Sequence, residues 1–264
     1  MRALVLVLTA ACGLYAALLA LLWWGQERLI FLPTPLPQDH RFRLGSDVQE
    51  RSIDVPGARL SALHLKRPGA KALVFYLHGN AGNLDSWFSN PDFWRGAQVD
   101  LFMIDYRGYG KSSGRVRSQA ELEGDARAAW AAVAPEYAGR RMVIFGRSLG
   151  SGLAAGLAAE LQPDLTVLVS PYTSLPDLAA EHYPFVPAAL LRYRLDTAAA
   201  LQRVRGPVLL LHGELDRVIP PEHSRRLAAL SPQARLQIVP GAGHNDLQDF
   251  PAYLDALRRS LDGP

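Results

Sequence analysis

The chain reads as an α/β fold: a mostly parallel sheet flanked by helices, behind a long apolar N-terminal helix. Three observations carry that expectation. Short apolar runs recur between residues 48 and 239, helical stretches separate them, and Ala3–Trp24 is a 22-residue run without a charge. Continuous apolar runs suit strands buried on both faces. A βαβ alternation with right-handed crossovers gives a doubly wound, mostly parallel sheet. The 264 residues are enough for one such domain.

The first element is the apolar segment. As a helix, Ala3–Trp24 spans roughly 33 Å, the thickness of a hydrocarbon core. Arg2 precedes it, Trp23 and Trp24 sit at its far edge as an interfacial aromatic pair, and Gln26-Glu27-Arg28 end it. A cleaved signal has a shorter apolar core and a small-residue cleavage site. Here Leu and Trp occupy that place. A lipoprotein signal, with Thr9-Ala10-Ala11 before Cys12, and a buried core helix are the other readings. The segment predicts a single-pass, uncleaved anchor over residues 1–26, expected in a bacterial inner membrane. Arg28, Arg41 and Arg43 against Arg2 lean towards a cytoplasmic catalytic domain, a difference too small to fix the side.

Residues 27–45 are expected to be an extended linker, because prolines at 33, 35 and 37 fix φ and remove donors. Residues 46–264 form the remaining domain. Val48–Val55 and Arg59–Lys66 flank Pro56-Gly57 as an antiparallel hairpin. Strands follow at Ala72–Leu77, Leu101–Ile104, Met142–Phe145, Thr166–Val169, Val208–Leu211 and Leu236–Val239. Helices are expected at Ser118–Ala134, Leu149–Glu160, Glu222–Leu230 and Pro251–Leu261. The stretch around 171–205 exceeds one crossover, and Tyr183-Pro-Phe-Val-Pro187 and Leu190-Leu191 suit a small apolar cap.

Charge and cysteine content exclude several functions. The 28 basic and 25 acidic residues leave +3, and no basic run suggests a nucleic-acid partner. The single Cys12 rules out an internal disulfide or a thiolate metal cluster. Neither an H-x-x-x-H spacing nor a phosphate loop is present, so no metal and no cofactor are expected.

The chemistry concentrates in Gly146-Arg-Ser-Leu-Gly150, which follows an apolar strand and opens a helix. Such a turn is tight enough to need glycines on both sides, and it exposes the Ser148 hydroxyl at a positive helix N-terminus. The partners expected next in the chain are an acid and then a histidine. Asp216, in Leu211-His-Gly-Glu-Leu-Asp216, lies just past a strand end, with Glu214 a minor competitor. His244, in Pro240-Gly-Ala-Gly-His-Asn-Asp246, follows the last strand. In this reading Ser148 is the nucleophile, His244 the base and Asp216 its orienting acid. The backbone N–H of Leu149 and that of Asn80, or alternatively Ala81, supply an oxyanion hole. Tyr172, Tyr183, Phe185, Val186, Leu190 and Leu191 are candidate contacts for a hydrophobic substrate. His78 and His212 are expected to cap strand ends, His223 to lie on a helix surface, and Asp105 and Arg107 to stabilise their loop.

The set HGNAGN, DYRGYGKSSG, GRSLG, SPYTSL, HGELDRVIP and GAGHND resembles the α/β-hydrolase superfamily over roughly residues 25–262. Within it, the chain is similar to the Bem46-like and ABHD12/13/17-like branch of membrane-associated serine hydrolases. The resemblance implies an eight-stranded sheet with strand 2 antiparallel, and esterase, thioesterase or lipase-like activity. The expected partners are a small-molecule, lipid or acylated substrate and the membrane. A serine peptidase on the same fold and a non-catalytic, lipid-binding membrane scaffold are the competing functions.

Overall fold

The computed structural model describes residues 1–263. Helix α1 (Arg2–Ile30) precedes a twisted sheet of eight strands. These are β1 (Val48–Val55), β2 (Ala58–Leu65), β3 (Ala72–Leu77), β4 (Val99–Ile104), β5 (Arg141–Arg147), β6 (Leu165–Val169), β7 (Val208–Gly213) and β8 (Ala234–Val239). The order across the sheet is β8-β7-β6-β5-β3-β4-β2-β1. β2 runs antiparallel to both neighbours and the other pairings are parallel. This is the eight-stranded α/β-hydrolase fold, with strand 2 reversed as the resemblance implied.

β3, β4, β6 and β7 are buried along their whole length, as their unbroken apolar runs require. Helices α2 (Gln119–Val133), α3 (Leu149–Leu161), α4 (Leu175–His182), α5 (Glu222–Leu230) and α6 (Pro251–Asp262) cover the sheet. One face buries Phe75, Phe102 and Ile144 beneath α2 and α3, and the other buries Tyr76, Phe145 and Val167 with α6. The strand order reverses at β3, where the chain first steps outward to β4 and then crosses back to β5. Such a switch point opens a crevice at the carboxyl ends of its strands. The loop after β3 and the Ser148 turn after β5 meet there.

Two expectations about the N-terminal region change. The helix runs four residues past the expected anchor end, to Ile30, because the first proline comes only at position 33. Residues 27–45, expected to be an extended linker, begin within the helix and then pair with the domain. Phe31 is buried and packs edge-on against Tyr193, with ring centroids 5.1 Å apart. Prolines at alternate positions leave only Leu32, Thr34 and Leu36 with N–H groups, and these project along one side. Each is used: Leu32 donates to Asn80 O (2.8 Å), Thr34 to Gly82 O (3.0 Å) and Leu36 to Gly110 O (2.8 Å). The proline spacing that rules out a helix therefore creates a short strand-like zipper.

A buried polar network crosses the β2–β4 pairing. His64 Nε2 lies 2.7 Å from the Tyr137 hydroxyl, which donates to Asp100 Oδ2 at 2.5 Å. Burial pushes the His64 imidazole down to about 4, assisted by the Arg51 and Lys66 charges and opposed by Glu136. The unfolded chain takes this proton near 6.5 and the folded protein resists it until about 4. Stability fully present above pH 6.5 is therefore lost as the pH falls through that window. Denaturant titrations between pH 8 and 4.5 should show up to about 3 kcal/mol of loss from this group. In His64→Gln the same window should be flatter.

Candidate active site

Ser148 stands between β5 and α3 with φ +53° and ψ −123°. A non-glycine residue there carries about 1–3 kcal/mol of backbone strain. The flanking glycines make the turn possible. A Cβ on Gly146 would meet Gly150 O at 2.4 Å, and one on Gly150 would meet Leu77 O at 2.1 Å and His78 O at 2.5 Å. The first turn of α3 thus lies directly on the end of β3. Ser148 N donates to Val169 O (2.9 Å), and Ser151 bonds back to Ser148 O through both its N–H (2.9 Å) and its hydroxyl (2.7 Å).

The residues expected to act together do converge. His244 Nε2 is 3.0 Å from Ser148 Oγ, and His244 Nδ1 is 2.7 Å from Asp216 Oδ2. Asp216 is buried, and its Oδ1 accepts from Val218 N (2.9 Å) and Ile219 N (2.8 Å). Burial opposes ionisation, but hydrogen bonds from His212, His244 and the Ile219 N–H outweigh it. They hold the carboxyl well below the usual carboxylate range. Asp216 is therefore an anion across the neutral range. Glu214 accepts from Gly241 N (3.0 Å) and Asp246 from Gly243 N (2.7 Å), so both local carboxylates brace the His244 loop.

The loop after β3 lies against the serine: a Cβ on Gly79 would sit 3.5 Å from Ser148 Cβ. Two of its peptides are held. Gly79 O accepts from His78 Nδ1 (2.8 Å), and Asn80 O accepts from Leu32 N (2.8 Å) and the Tyr109 hydroxyl (2.6 Å). In a trans peptide the C=O and N–H point oppositely. Fixing Gly79 O therefore fixes Asn80 N–H, and fixing Asn80 O fixes Ala81 N–H. Leu149 N–H, at the first position of α3, has no intrahelical acceptor. These are the groups from which the oxyanion hole was expected. Asp105 holds Leu84 N (3.0 Å) and faces His78 Nε2 at 3.6 Å, while Arg107 grips Asp125 and Glu121.

Several contacts at the site have no local sequence signal. Arg147 donates to His244 O (3.0 Å) and lies 5.5 Å over the Trp87 ring, tying the serine turn to the histidine loop. His212 does more than cap β7: its Nε2 is 2.8 Å from Ile219 O and 3.3 Å from Asp216 Oδ2. The i, i+4 spacing of His212 and Asp216 is the one hint the sequence held. His223, expected on a helix surface, is fully buried. α5 packs against the Thr173 turn, whose N–H donates to His223 Nδ1 (3.1 Å). Tyr172 is also corrected: it is buried beneath α3, its hydroxyl donating to Leu149 O (2.9 Å), with no surface left for a substrate. Tyr183 and Phe185 are exposed, and Val186, Leu190 and Leu191 are half-buried. Among the described residues, no three His, Cys, Asp or Glu side chains gather as a metal site.

Two glycines on α3 give opposite expectations. Gly150→Ala forces a methyl group onto the Leu77 and His78 carbonyls and should cost at least about 3 kcal/mol. Gly156→Ala meets nothing within 4 Å and should stabilise by about 0.5–1 kcal/mol. Thermal or denaturant unfolding of both variants measures the contrast.

Comparison with known proteins agrees with this architecture. The family described as "Serine aminopeptidase, S33" matches residues 68–195, and that described as "alpha/beta hydrolase fold" matches residues 182–251. An uncharacterized protein of Mycobacterium tuberculosis is 37% identical over 253 residues, covering 91% of this chain and 88% of that one. The alpha/beta hydrolase domain-containing protein 17B of Xenopus tropicalis is 31% identical over 212 residues, 77% of this chain and 71% of its own length. Among solved structures, an esterase of Pyrococcus furiosus superposes with a TM-score of 0.69 at 17% identity, over 88% of this chain and 97% of that one. The turn at Ser148, the sheet order and these relatives together place the chain in the α/β-hydrolase superfamily.

Proposed function

We propose that the protein is a membrane-anchored serine hydrolase that cleaves carboxylic ester or thioester bonds through an acyl-serine intermediate. The observation that carries this reading is the Ser148–His244–Asp216 relay, with contacts of 3.0 and 2.7 Å beside a strained serine turn. Ser148 Oγ attacks the acyl carbonyl as His244 Nε2 takes its proton. Asp216 keeps the Nδ1–H tautomer and stabilises the imidazolium. The Leu149 and Asn80 N–H groups hold the oxyanion. Collapse expels the alcohol or thiol, which takes the proton from His244. Water then adds to the acyl carbonyl as His244 takes its proton, and collapse releases the acid while Ser148 Oγ leaves with that proton, restoring the free serine and neutral His244.

The competing functions are less well supported. An aminopeptidase must bind a substrate ammonium, and carboxylates around the site are the natural groups for it. Glu214 and Asp246 are spent on backbone N–H groups, while Glu181 is spent on His223 and Arg226. A non-catalytic scaffold has no use for backbone strain at Ser148. The exposed Tyr183 and Phe185 favour an acyl chain or lipid as the substrate.

The anchor reading draws support from the end of α1. Gln26 is buried, its Oε1 accepting from Arg192 N (2.8 Å), and Glu27 pairs with Arg192 (2.5 Å) and the Tyr193 hydroxyl (3.0 Å). Cleavage before Gln26 would remove the helix whose last turn is built into the domain.

Hydrolysis of p-nitrophenyl esters tests the reading. Ser148→Ala should lower kcat by at least about 10³-fold, and Asp216→Asn by roughly 10³–10⁴-fold with KM little changed. Full activity in Ser148→Ala would refute the mechanism. Octanoyl esters should exceed acetyl esters in kcat/KM, and leucine p-nitroanilide should remain uncleaved.

A further inference from the structure

The cap segment Tyr183-Pro-Phe-Val-Pro-Ala-Ala-Leu-Leu191 carries no charge, and it runs alongside α1. Contacts at both ends set its course. Near the anchor's C-terminal end, Gln26 Nε2 donates to Leu190 O (3.4 Å), and the Arg192 guanidinium lies 5.5 Å over the Trp23 ring. Further along, the Tyr15 hydroxyl donates to Phe185 O at 2.7 Å. Tyr15 precedes Trp23 by eight residues, about 12 Å along a helix axis. If Trp23 and Trp24 mark the membrane surface, Phe185 lies well inside it.

Four of the segment's seven N–H groups donate within the protein. Backbone polar groups facing hydrocarbon must be satisfied within the protein. Pro184 and Pro187 have no N–H to satisfy. Tyr183 N donates to Ala179 O (2.7 Å), Val186 N to Tyr183 O (2.9 Å), Leu190 N to Pro187 O (2.9 Å) and Leu191 N to Ala188 O (3.2 Å). Yet Tyr183 and Phe185 remain 57% and 58% exposed, an unfavourable placement for aromatic rings in water. The exposed apolar surface continues towards the catalytic acid. His182 Nε2 bonds to Val218 O (2.9 Å), and Leu215 and Val218, exposed by 59% and 51%, flank Asp216.

We propose that residues 183–191 form a re-entrant cap loop embedded in the same bilayer that α1 crosses, packed on α1 and opening the site towards lipid. The occupant of this surface is the acyl region of the bilayer. Continuity with the anchor argues for it, since the helix and loop share hydrogen bonds at two depths. This inference rests on the anchor reading above. It adds that the hydrolase domain itself enters the membrane, in a fixed orientation set by Gln26, Glu27 and Tyr15.

Fluorophore quenching in full-length protein, reconstituted in phosphatidylcholine vesicles, tests it. In a Cys12→Ala background, Phe185→Cys, Leu14→Cys and Asp54→Cys are each labelled with nitrobenzoxadiazole. Asp54 lies on β1 with an 80% exposed side chain and serves as the aqueous reference. The expected result is that the labels at 185 and 14 are quenched by acyl-chain nitroxide lipids. Iodide should quench both at least about fivefold less than it quenches the label at 54. If iodide reaches position 185 as freely as 54 while 14 stays shielded, the embedded loop is wrong and the anchor stands. If iodide reaches both, the anchor reading falls and the inference falls with it. Ala188→Cys, exposed on the same loop, gives the same readout should Phe185→Cys not accumulate.

Discussion

The contact on which the rest of the site depends is the approach of the first turn of α3 to the end of β3. Gly150 lies so close to the Leu77 and His78 carbonyls that no side chain fits between them. That closeness sets Ser148 beside the loop of Gly79 and Asn80, and it forces the serine into a positive φ. Strain at one residue is the cost of placing a hydroxyl, a helix N-terminus and a row of loop N–H groups within reach of one carbonyl. The sheet order makes the approach possible, because β3 and β5 are neighbours although β4 lies between them in sequence.

Around this contact, polar side chains tie separate segments into one unit. Arg147, next to the serine, holds the His244 backbone, and His212 and two N–H groups hold Asp216. On the opposite side, His78 and Leu32 hold the peptides of the Gly79–Ala81 loop. Leu32 belongs to the zipper that continues from α1, so the N-terminal helix is mechanically connected to the loop beside Ser148. The same helix end clamps Arg192 and Tyr193 after the cap.

Much of this was legible in the residues. Strand positions followed from unbroken apolar runs, and Ser148, Asp216 and His244 followed from their order at strand ends. What was not legible is long-range. Nothing local to Arg147 says that its guanidinium will meet a carbonyl 97 residues away, and nothing local to Tyr15 points to Phe185, 170 residues on. Tyr172 illustrates the converse: an aromatic residue near a cap looks like a substrate contact until its hydroxyl is found beneath α3. The proline-bearing stretch from 33 to 37 was expected to be non-helical, and it is. Its pairing was missed because the partners, Asn80, Gly82 and Gly110, lie far along the chain.

The central claim is that Ser148 is a nucleophile activated by His244 and Asp216. Covalent labelling with a fluorophosphonate, read by peptide mass spectrometry, tests it most directly. The account predicts one adduct, on the peptide containing Ser148, absent in Ser148→Ala and formed at least about 10²-fold more slowly in His244→Ala. An adduct on another residue, or labelling of Ser148 at an unchanged rate without His244, would contradict it.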